Sequence, residues 1–319
     1  ECAIQLGGII EEVEGEDFVT IPLIEDYCEL AYQIYDKISR NSPVNLNQMC
    51  KALRKSLIKM ENSVKHDIPE RMEVVFLPYK ASMWDSLESV WKAADEDPDC
   101  DAYVVPIPYY DKNGDGSFRE MHYEGNEYPD YVCVTDFREY DFEKRRPDMI
   151  FIHNPYDEYN YVTSVSPEFY SKNLKRYTDK LVYIPYFVLG EVDPENEEAV
   201  EGMAHFCTVP GVFHADVVIV QSENMRKAYI DVLTAAAGEK TRAYWEKKIL
   251  GLGSPKMDKV LETSEEEYEI PGEWLRVLEK PDGSRKKVIL YNTSVTALLK
   301  EEDKMLRKME SVFQTFKDN

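Results

Sequence analysis

The chain has 319 residues, with 38 lysines and arginines against 61 aspartates and glutamates and a formal charge of −23. That length suits two domains, or one with an extension, and excludes a single small module. The charge opposes binding to phosphate backbones or anionic membranes, so nucleic-acid and membrane-surface roles are set aside.

No apolar run nears the roughly 20 residues of a membrane span, and Glu1-Cys2-Ala3-Ile4-Gln5 lacks the layout of a signal peptide. The six cysteines include no Cys-x-x-Cys pair, so a soluble, cytoplasmic protein with free thiols is expected. The chain opens on Glu1 and stops at Asn319, just after a strand-like and a helix-like segment, and is read as an excised fragment.

Residues 20–66 predict an antiparallel helix pair. Ile24, Cys28, Ala31, Ile34, Tyr35 and Ile38 share one face, and Leu46, Met49, Leu53, Leu57, Met60 and Val64 repeat the pattern after the Asn41-Ser42-Pro43 break. Asn45 and Gln48 supply the cap of the second helix. From residue 72, runs rich in Val, Ile, Tyr and Phe alternate with helical stretches, the pattern of a parallel sheet with crossover helices. Strands are expected at 73–77, 102–107, 131–134, 149–153, 181–185, 216–220 and 287–291. Helices are expected at 82–94, with Ser82 as cap, and at 167–177, 222–237, 241–248 and 300–316. The acidic stretch 262–271 and the Pro281-Asp282-Gly283-Ser284 turn together read as an interdomain connection.

Ligands of open α/β sheets bind outside the carboxyl ends of the strands. The residues there are polar and aromatic: Pro78-Tyr79-Lys80, Pro108-Tyr109-Tyr110, His153-Asn154-Pro155-Tyr156-Asp157, Pro185-Tyr186-Phe187, Gln221-Ser222-Glu223 and Asn292-Thr293-Ser294. Tyrosines in such loops can pack on a sugar, glycerol or base while offering a hydroxyl; equally, short loops favour Pro, Asn, Asp and Ser for conformational reasons alone. His153 fits two roles, general base on an acceptor hydroxyl or hydrogen-bonded structural histidine. His205 and His214, either side of Pro210-Gly211, rank behind it.

Gly251-Leu252-Gly253-Ser254-Pro255-Lys256 lets a backbone approach a ligand, and Ser254 and Lys256 could address phosphate; a plain turn is the alternative. It is no Walker A loop, and no Gly-x-Gly-x-x-Gly occurs, so kinase, P-loop and NAD-dependent readings lose their support. With no His-x-x-x-His spacing and no Gly-x-Ser-x-Gly elbow, metal hydrolysis and covalent acyl chemistry lose theirs, and neither metal nor cofactor is expected. Asp111-Lys112-Asn113-Gly114-Asp115-Gly116 copies half a calcium loop, but position twelve is His122, so a hairpin turn is favoured. Lys144-Arg145-Arg146 reads as a solvated run that could also greet an anionic substrate.

The strand ending in Asp216-Val217-Val218-Ile219-Val220-Gln221-Ser222, the helix after it, and then Gly253-Ser254-Pro255-Lys256-Met257-Asp258 together resemble the first half of GT-B transferases. The likeness is to the CDP-glycerol glycerophosphotransferase-like proteins of Gram-positive bacteria and spans residues 72–319. The helix pair reads as a helical extension over 1–68, and the resemblance implies a Rossmann-like acceptor domain over 69–284 and the truncated start of a donor-nucleotide domain over 285–319. It also implies transfer, without a bound metal, of a glycerophosphate or glycosyl group from CDP-glycerol or a UDP-sugar to a polyol or sugar acceptor of the cell envelope. The fragment alone is expected to be inactive, and peripheral membrane association of the full-length protein is compatible with such a role. Where the family's His-Gly-Thr-Pro loop would fall, this chain has Ile184-Pro185-Tyr186-Phe187. The expected site is therefore His153 as catalytic group, with Tyr79, Lys80, Asn154, Tyr156, Asp157, Tyr186, Gln221, Ser222, Ser254 and Lys256 binding substrate. A UDP-sugar glycosyltransferase or 2-epimerase-like enzyme shares this architecture. A non-catalytic scaffold docking a partner through residues 20–66 is the reading from another class.

Overall fold

The computed structural model describes residues 1–40, 45–264, 270–293 and 295–318. The expected break at Asn41-Ser42-Pro43, Ser294 and part of the acidic stretch 262–271 lie outside them. The chain divides into two compact units, Glu1–Glu262 and Thr263–Asn319. Among the described residues no helix is long and apolar enough to cross a membrane.

The first unit opens with α1 (Cys2–Glu14), α2 (Ile21–Ser39) and α3 (Leu46–His66). The Asn45 side chain accepts the Gln48 N–H at 3.1 Å, as its spacing predicts. Thr20, at the start of α2, bonds Ser63, near the end of α3, at 2.9 Å, so the pair is antiparallel. Helix α1 lies in the expected helical extension, but no apolar periodicity marked it as a separate helix. Its two adjacent glycines dilute the apolar pattern, and Gly7 packs against Ile24 at ordinary contact distance. The three helices share a small core of Ile10, Ile21, Ile24 and Met60.

The strands that follow are β1 (Met72–Leu77), β2 (Cys100–Val104), the β3/β4 hairpin (Tyr109–Lys112, Phe118–His122), β5 (Met149–Ile152), β6 (Thr163–Val165), β7 (Lys180–Tyr183), β8 (Val217–Ile219) and β9 (Ile249–Leu250). Six of them form one parallel sheet in the order β2-β1-β5-β7-β8-β9. The fold is α/β with a Rossmann-like parallel sheet. Its strands are near-continuous apolar runs because both faces are covered. Successive side chains point to opposite faces: Val75, Leu77, Ile150 and Ile152 enter one core, and Val74, Phe76 and Phe151 the other, where Phe76 and Phe151 stack at 4.8 Å. The chain runs outward from β1 to β2, then returns to β5 on the other side of β1. The direction of winding thus switches between β1 and β5, whose ends, Leu77 and Ile152, are in register.

Several expected elements differ. Residues 131–134 make only a parallel bridge from Val134 to Val104. Residues 82–94 divide into a 3₁₀ turn, Ala81–Ser86, and α4 (Glu88–Asp95), with no side-chain cap from Ser82. Residues 167–177 shrink to a 3₁₀ turn and, after α5 (Phe142–Arg145), the short α6 (Ser171–Leu174). A second sheet, β4-β3-β6, is antiparallel. The turn Asn113–Ser117 closes its hairpin, with Asn113 N–H donating to Ser117 O at 2.9 Å. Arg145 is no solvated cation: its fork grips Glu73 at 2.7 and 2.8 Å over the rings of Tyr103 and Tyr140.

Further on lie α7 (Glu197–Gly202), α8 (Ala204–Cys207), α9 (Pro210–His214), α10 (Glu223–Ala237) and α11 (Arg242–Lys248). Helix α12 (Pro255–Glu262) then packs against α4 and the 3₁₀ turn before it. Between β9 and α12, a Cβ on Gly251 would sit 2.6 Å from the Ser222 carbonyl oxygen and 2.8 Å from its carbon. The close approach that glycine permits is thus to the protein's own backbone. Because backbone atoms cannot swing aside, Gly251→Ala should cost about 2 kcal/mol of stability, measured by urea unfolding; an unchanged midpoint would mean the loop shifts freely.

The second unit holds α13 (Gly272–Leu278) and α14 (Val295–Asp318). Lys280 N–H donates to Ser284 O at 2.8 Å, closing the predicted Pro-Asp-Gly-Ser turn. The strand expected at 287–291 is absent: Val288, Ile289 and Leu290 are 66, 63 and 90 % exposed in irregular backbone.

Candidate functional site

At the switch point, the loops after β1, β5 and β7 bring Tyr79, Lys80, His153, Tyr156 and Tyr186 together. The Tyr79 ring meets those of His153, Tyr109 and Tyr186 edge-on at 5.3, 5.5 and 6.2 Å. Lys80 lies over Tyr109, its Nζ 4.8 Å from the ring centre. The hydroxyls of Tyr79 and Tyr156 both interact with that of Tyr186. Burial pushes Tyr79 and Tyr156 up to about 12, so these phenols stay protonated near neutrality; Tyr156 donates to Tyr186 and Tyr186 to Tyr79, which leaves the Tyr79 proton for a ligand oxygen. Glu124, which the sequence reading did not single out, fixes the cluster from outside. It accepts from the Tyr109 hydroxyl at 2.6 Å and the Ala81 N–H at 2.8 Å.

His153 is the centre of this cluster and is 0 % exposed. Its Nε2 accepts the Tyr79 N–H at 3.1 Å, which leaves the proton on Nδ1, 2.8 Å from Ser86 Oγ; Ser86 in turn donates to Met83 O at 2.7 Å. A general base needs a free lone pair within reach of the proton it takes. Both ring nitrogens of His153 are engaged inside the protein, so the expected catalytic role is corrected to a positioning one: the imidazole ties the loop after β1 to the end of β5. Asn154 beside it is also buried, 8 % exposed.

The other expected residues divide. Lys256, on α12, pairs with Asp85 at 2.5 Å and is near enough for its charge to act on His153. Gln221 clamps the backbone of Leu189 with two bonds of 2.8 Å, and Ser222 caps α10 while donating to Glu191 at 2.7 Å. These are structural engagements at the β8 end of the sheet. Ser254 Oγ is buried there without a hydrogen-bond partner.

Asp157 points away from the Tyr79 cluster. It is 1 % exposed, with the rare φ of 45°, and its Oδ2 accepts from the Ser171 hydroxyl at 2.6 Å and the Ser171 N–H at 2.9 Å. Ser171 Oγ lies 2.8 Å from His214 Nδ1. Burial raises the Asp157 carboxyl to about 7, and burial lowers His214. His214 ends α9, which is pinned to the loop after β5 because Gly211 has no side chain: its N–H reaches Pro155 O at 2.8 Å, where a Cβ would sit 2.8 Å from Pro155 Cα. The buried Lys248, pushed down to about 8 by burial, holds α9 from behind through Phe213 O at 2.8 Å. A cavity of about 890 Å³ opens beside His214 and is walled by Tyr156, Tyr159, Tyr161, His205 and Phe213. No spacing rule could have revealed Ser171 as the link, since its partners are 14 and 43 residues away.

Asp111, Glu120 and His122, on the β3/β4 hairpin, bring one ligand atom each within 4.8 Å of one another. Asp111 is already paired with Arg119 at 2.7 Å and bonded to His122 at 3.2 Å.

No family model matches the chain, and no curated protein matches it. Among solved structures, a UDP-N-acetylglucosamine 2-epimerase superposes on 66 % of this chain and 56 % of its own, at 11 % identity and a TM-score of 0.38. The MnaA protein of S. aureus, solved with UDP, does so over 66 % and 51 %, at 11 % identity and a TM-score of 0.35. The chain spans about half the length of these structures. Superpositions at this level carry no argument about its chemistry.

Proposed function

We propose that this chain is the Rossmann-like half of an enzyme acting on a nucleotide-activated sugar or polyol, and that its strand-end cluster receives the substrate. The observation that supports this is the convergence of Tyr79, Tyr156 and Tyr186 with Lys80 at the switch between β1 and β5. Open α/β sheets take their ligands at that point. Protonated phenols give hydrogen bonds and flat apolar faces to a polyhydroxylated ring or glycerol unit. A lysine ammonium supplies a compact charge for phosphate. In the finer reading, the complete enzyme transfers a glycerophosphate or glycosyl group from CDP-glycerol or a UDP-sugar to a cell-envelope acceptor; a 2-epimerase-like reaction on a UDP-sugar is the alternative. Calorimetric titration with UDP-N-acetylglucosamine, CDP-glycerol, UDP and CDP tests the proposal and sorts these donors. Binding of one of them, weakened about tenfold by Lys80→Ala, a loss of about 1.4 kcal/mol, is the expected result. Absence of binding by all four would sink it.

A further inference from the structure

We infer that the cavity beside His214 is a binding site for a neutral, hydroxyl-bearing ring, an acceptor sugar, and that the line Asp157–Ser171–His214 makes His214 Nε2 the proton acceptor for one of its hydroxyls. This rests on the reading above for the reaction it would serve, but its evidence is separate.

The first observation is the chemistry of the walls. In a chain with 31 % charged residues, the cavity has no Lys, Arg, Asp or Glu among its described lining residues. An anionic ligand would find no cation there, and a cationic ligand no carboxylate. What the walls offer is aromatic faces at Tyr156, Tyr159, Tyr161 and Phe213 with hydrogen-bonding groups at Asn160, Thr208, His205 and His214 between them. That mixture suits a sugar, whose ring C–H faces pack on aromatics while its hydroxyls bond the polar groups. Tyr159, Tyr161 and Val162, all on the cavity wall, are exposed together, a contiguous apolar patch of the kind that marks a ligand-binding groove. Tyr156 belongs to both this cavity and the strand-end cluster, so the two adjoin.

The second observation is the direction of the hydrogen bonds. The Ser171 hydroxyl has one proton and gives it to Asp157, so its oxygen accepts from Nδ1–H of His214. Nε2 is then the unprotonated nitrogen, and among the described residues it has no hydrogen-bond partner. A sugar hydroxyl on it would pass its proton to Nε2 as its oxygen attacks the nucleotide-activated donor, and the nucleotide would leave with the electron pair of the broken bond. Protonating Asp157 reverses the line: the carboxyl donates to Ser171, Ser171 to Nδ1, and the imidazole proton moves to Nε2. With Asp157 raised to about 7, the tautomer changes near neutrality. Glu158, Lys172 and Lys248 are the other charges acting on this pair.

Nitrogen-15 NMR of the imidazoles in the intact chain reads both parts. Raising the pH through about 7 should move the His214 proton from Nε2 to Nδ1, and a tautomer that stays constant across that range overturns the relay. Methyl N-acetyl-β-D-glucosaminide is the probe for the cavity. It should shift the His214 and His205 resonances, and Tyr161→Ala should weaken its binding at least tenfold while the UDP or CDP titration is unchanged. A probe that leaves both histidines unmoved, or binds Tyr161→Ala equally well, overturns the site. Probe binding at His214 in a protein that binds no nucleotide would uphold this site while refuting the donor reading.

Discussion

Replacing His153 with alanine should lower the unfolding free energy by about 3 kcal/mol. The imidazole fills space among Tyr79, Tyr186 and the end of β5 and satisfies the buried Tyr79 N–H and the Ser86 hydroxyl. Its loss combines a cavity with a buried donor left unpaired, which mutational series put at roughly 1–3 kcal/mol for the donor alone. Guanidinium unfolding measures it directly. A change below about 1 kcal/mol would mean that the ring is not what fastens the loop after β1 to β5. If so large a loss appears, reduced ligand binding by the same variant reports a collapsed site, and His153 need touch no substrate to matter.

Asp157→Asn should change the pH dependence of stability more than its value at any one pH. Burial, ahead of the Lys256 charge, holds His153 near 3 in the folded protein, against roughly 6.5 unfolded. Between those values the unfolded chain binds the extra proton. This contribution is therefore complete above about pH 6.5 and is lost as the pH falls toward 3, at about 1.4 kcal/mol per pH unit. Asp157 acts in the opposite sense. Burial raises it to about 7, against roughly 3.9 unfolded, so here the native state holds the extra proton. Its contribution is complete below about pH 3.9 and is lost as the pH rises through 7. From about pH 4 to 6.5 the two slopes oppose each other. Asparagine does not titrate and tolerates a positive φ, so the variant should gain about 1.4 kcal/mol per pH unit over that interval relative to the parent. Urea unfolding at several pH values checks it, and parallel profiles would show that Asp157 ionises freely.

The central sheet was legible because parallel strands covered on both faces must be apolar along their whole length, and Val74–Leu77, Ile150–Ile152 and Leu181–Tyr183 are. The antiparallel sheet was not: β3 and β4 carry Asp111, Lys112, Arg119 and Glu120, and only the Asn-Gly/Asp-Gly turn between them gave it away. At 287–291 the error ran the other way. Val288-Ile289-Leu290 has the composition of a strand, but a strand is made by its hydrogen-bonding neighbours, which composition does not reveal. The candidate site shows the same division. That His153 stands at a strand's end follows from position. That Tyr79 and Tyr186, from two other loops, close over it depends on the order of strands in the sheet. The Asp157–Ser171–His214 line depends on α9 meeting the loop after β5 through Gly211, a contact with no local signature.

Helix α12 comes back from the β9 end of the sheet to fasten on the segment that follows β1. Lys256 grips Asp85 across 171 residues of chain, Asp258 accepts from Ser89 at 2.6 Å, and Lys259 reaches Glu88. A domain buckled in this way resists fraying from its β9 side. Its first and last strands must come apart together, and because two of the three fastenings are charge pairs at or near the surface, added salt should slacken the buckle before it touches the apolar layers beneath.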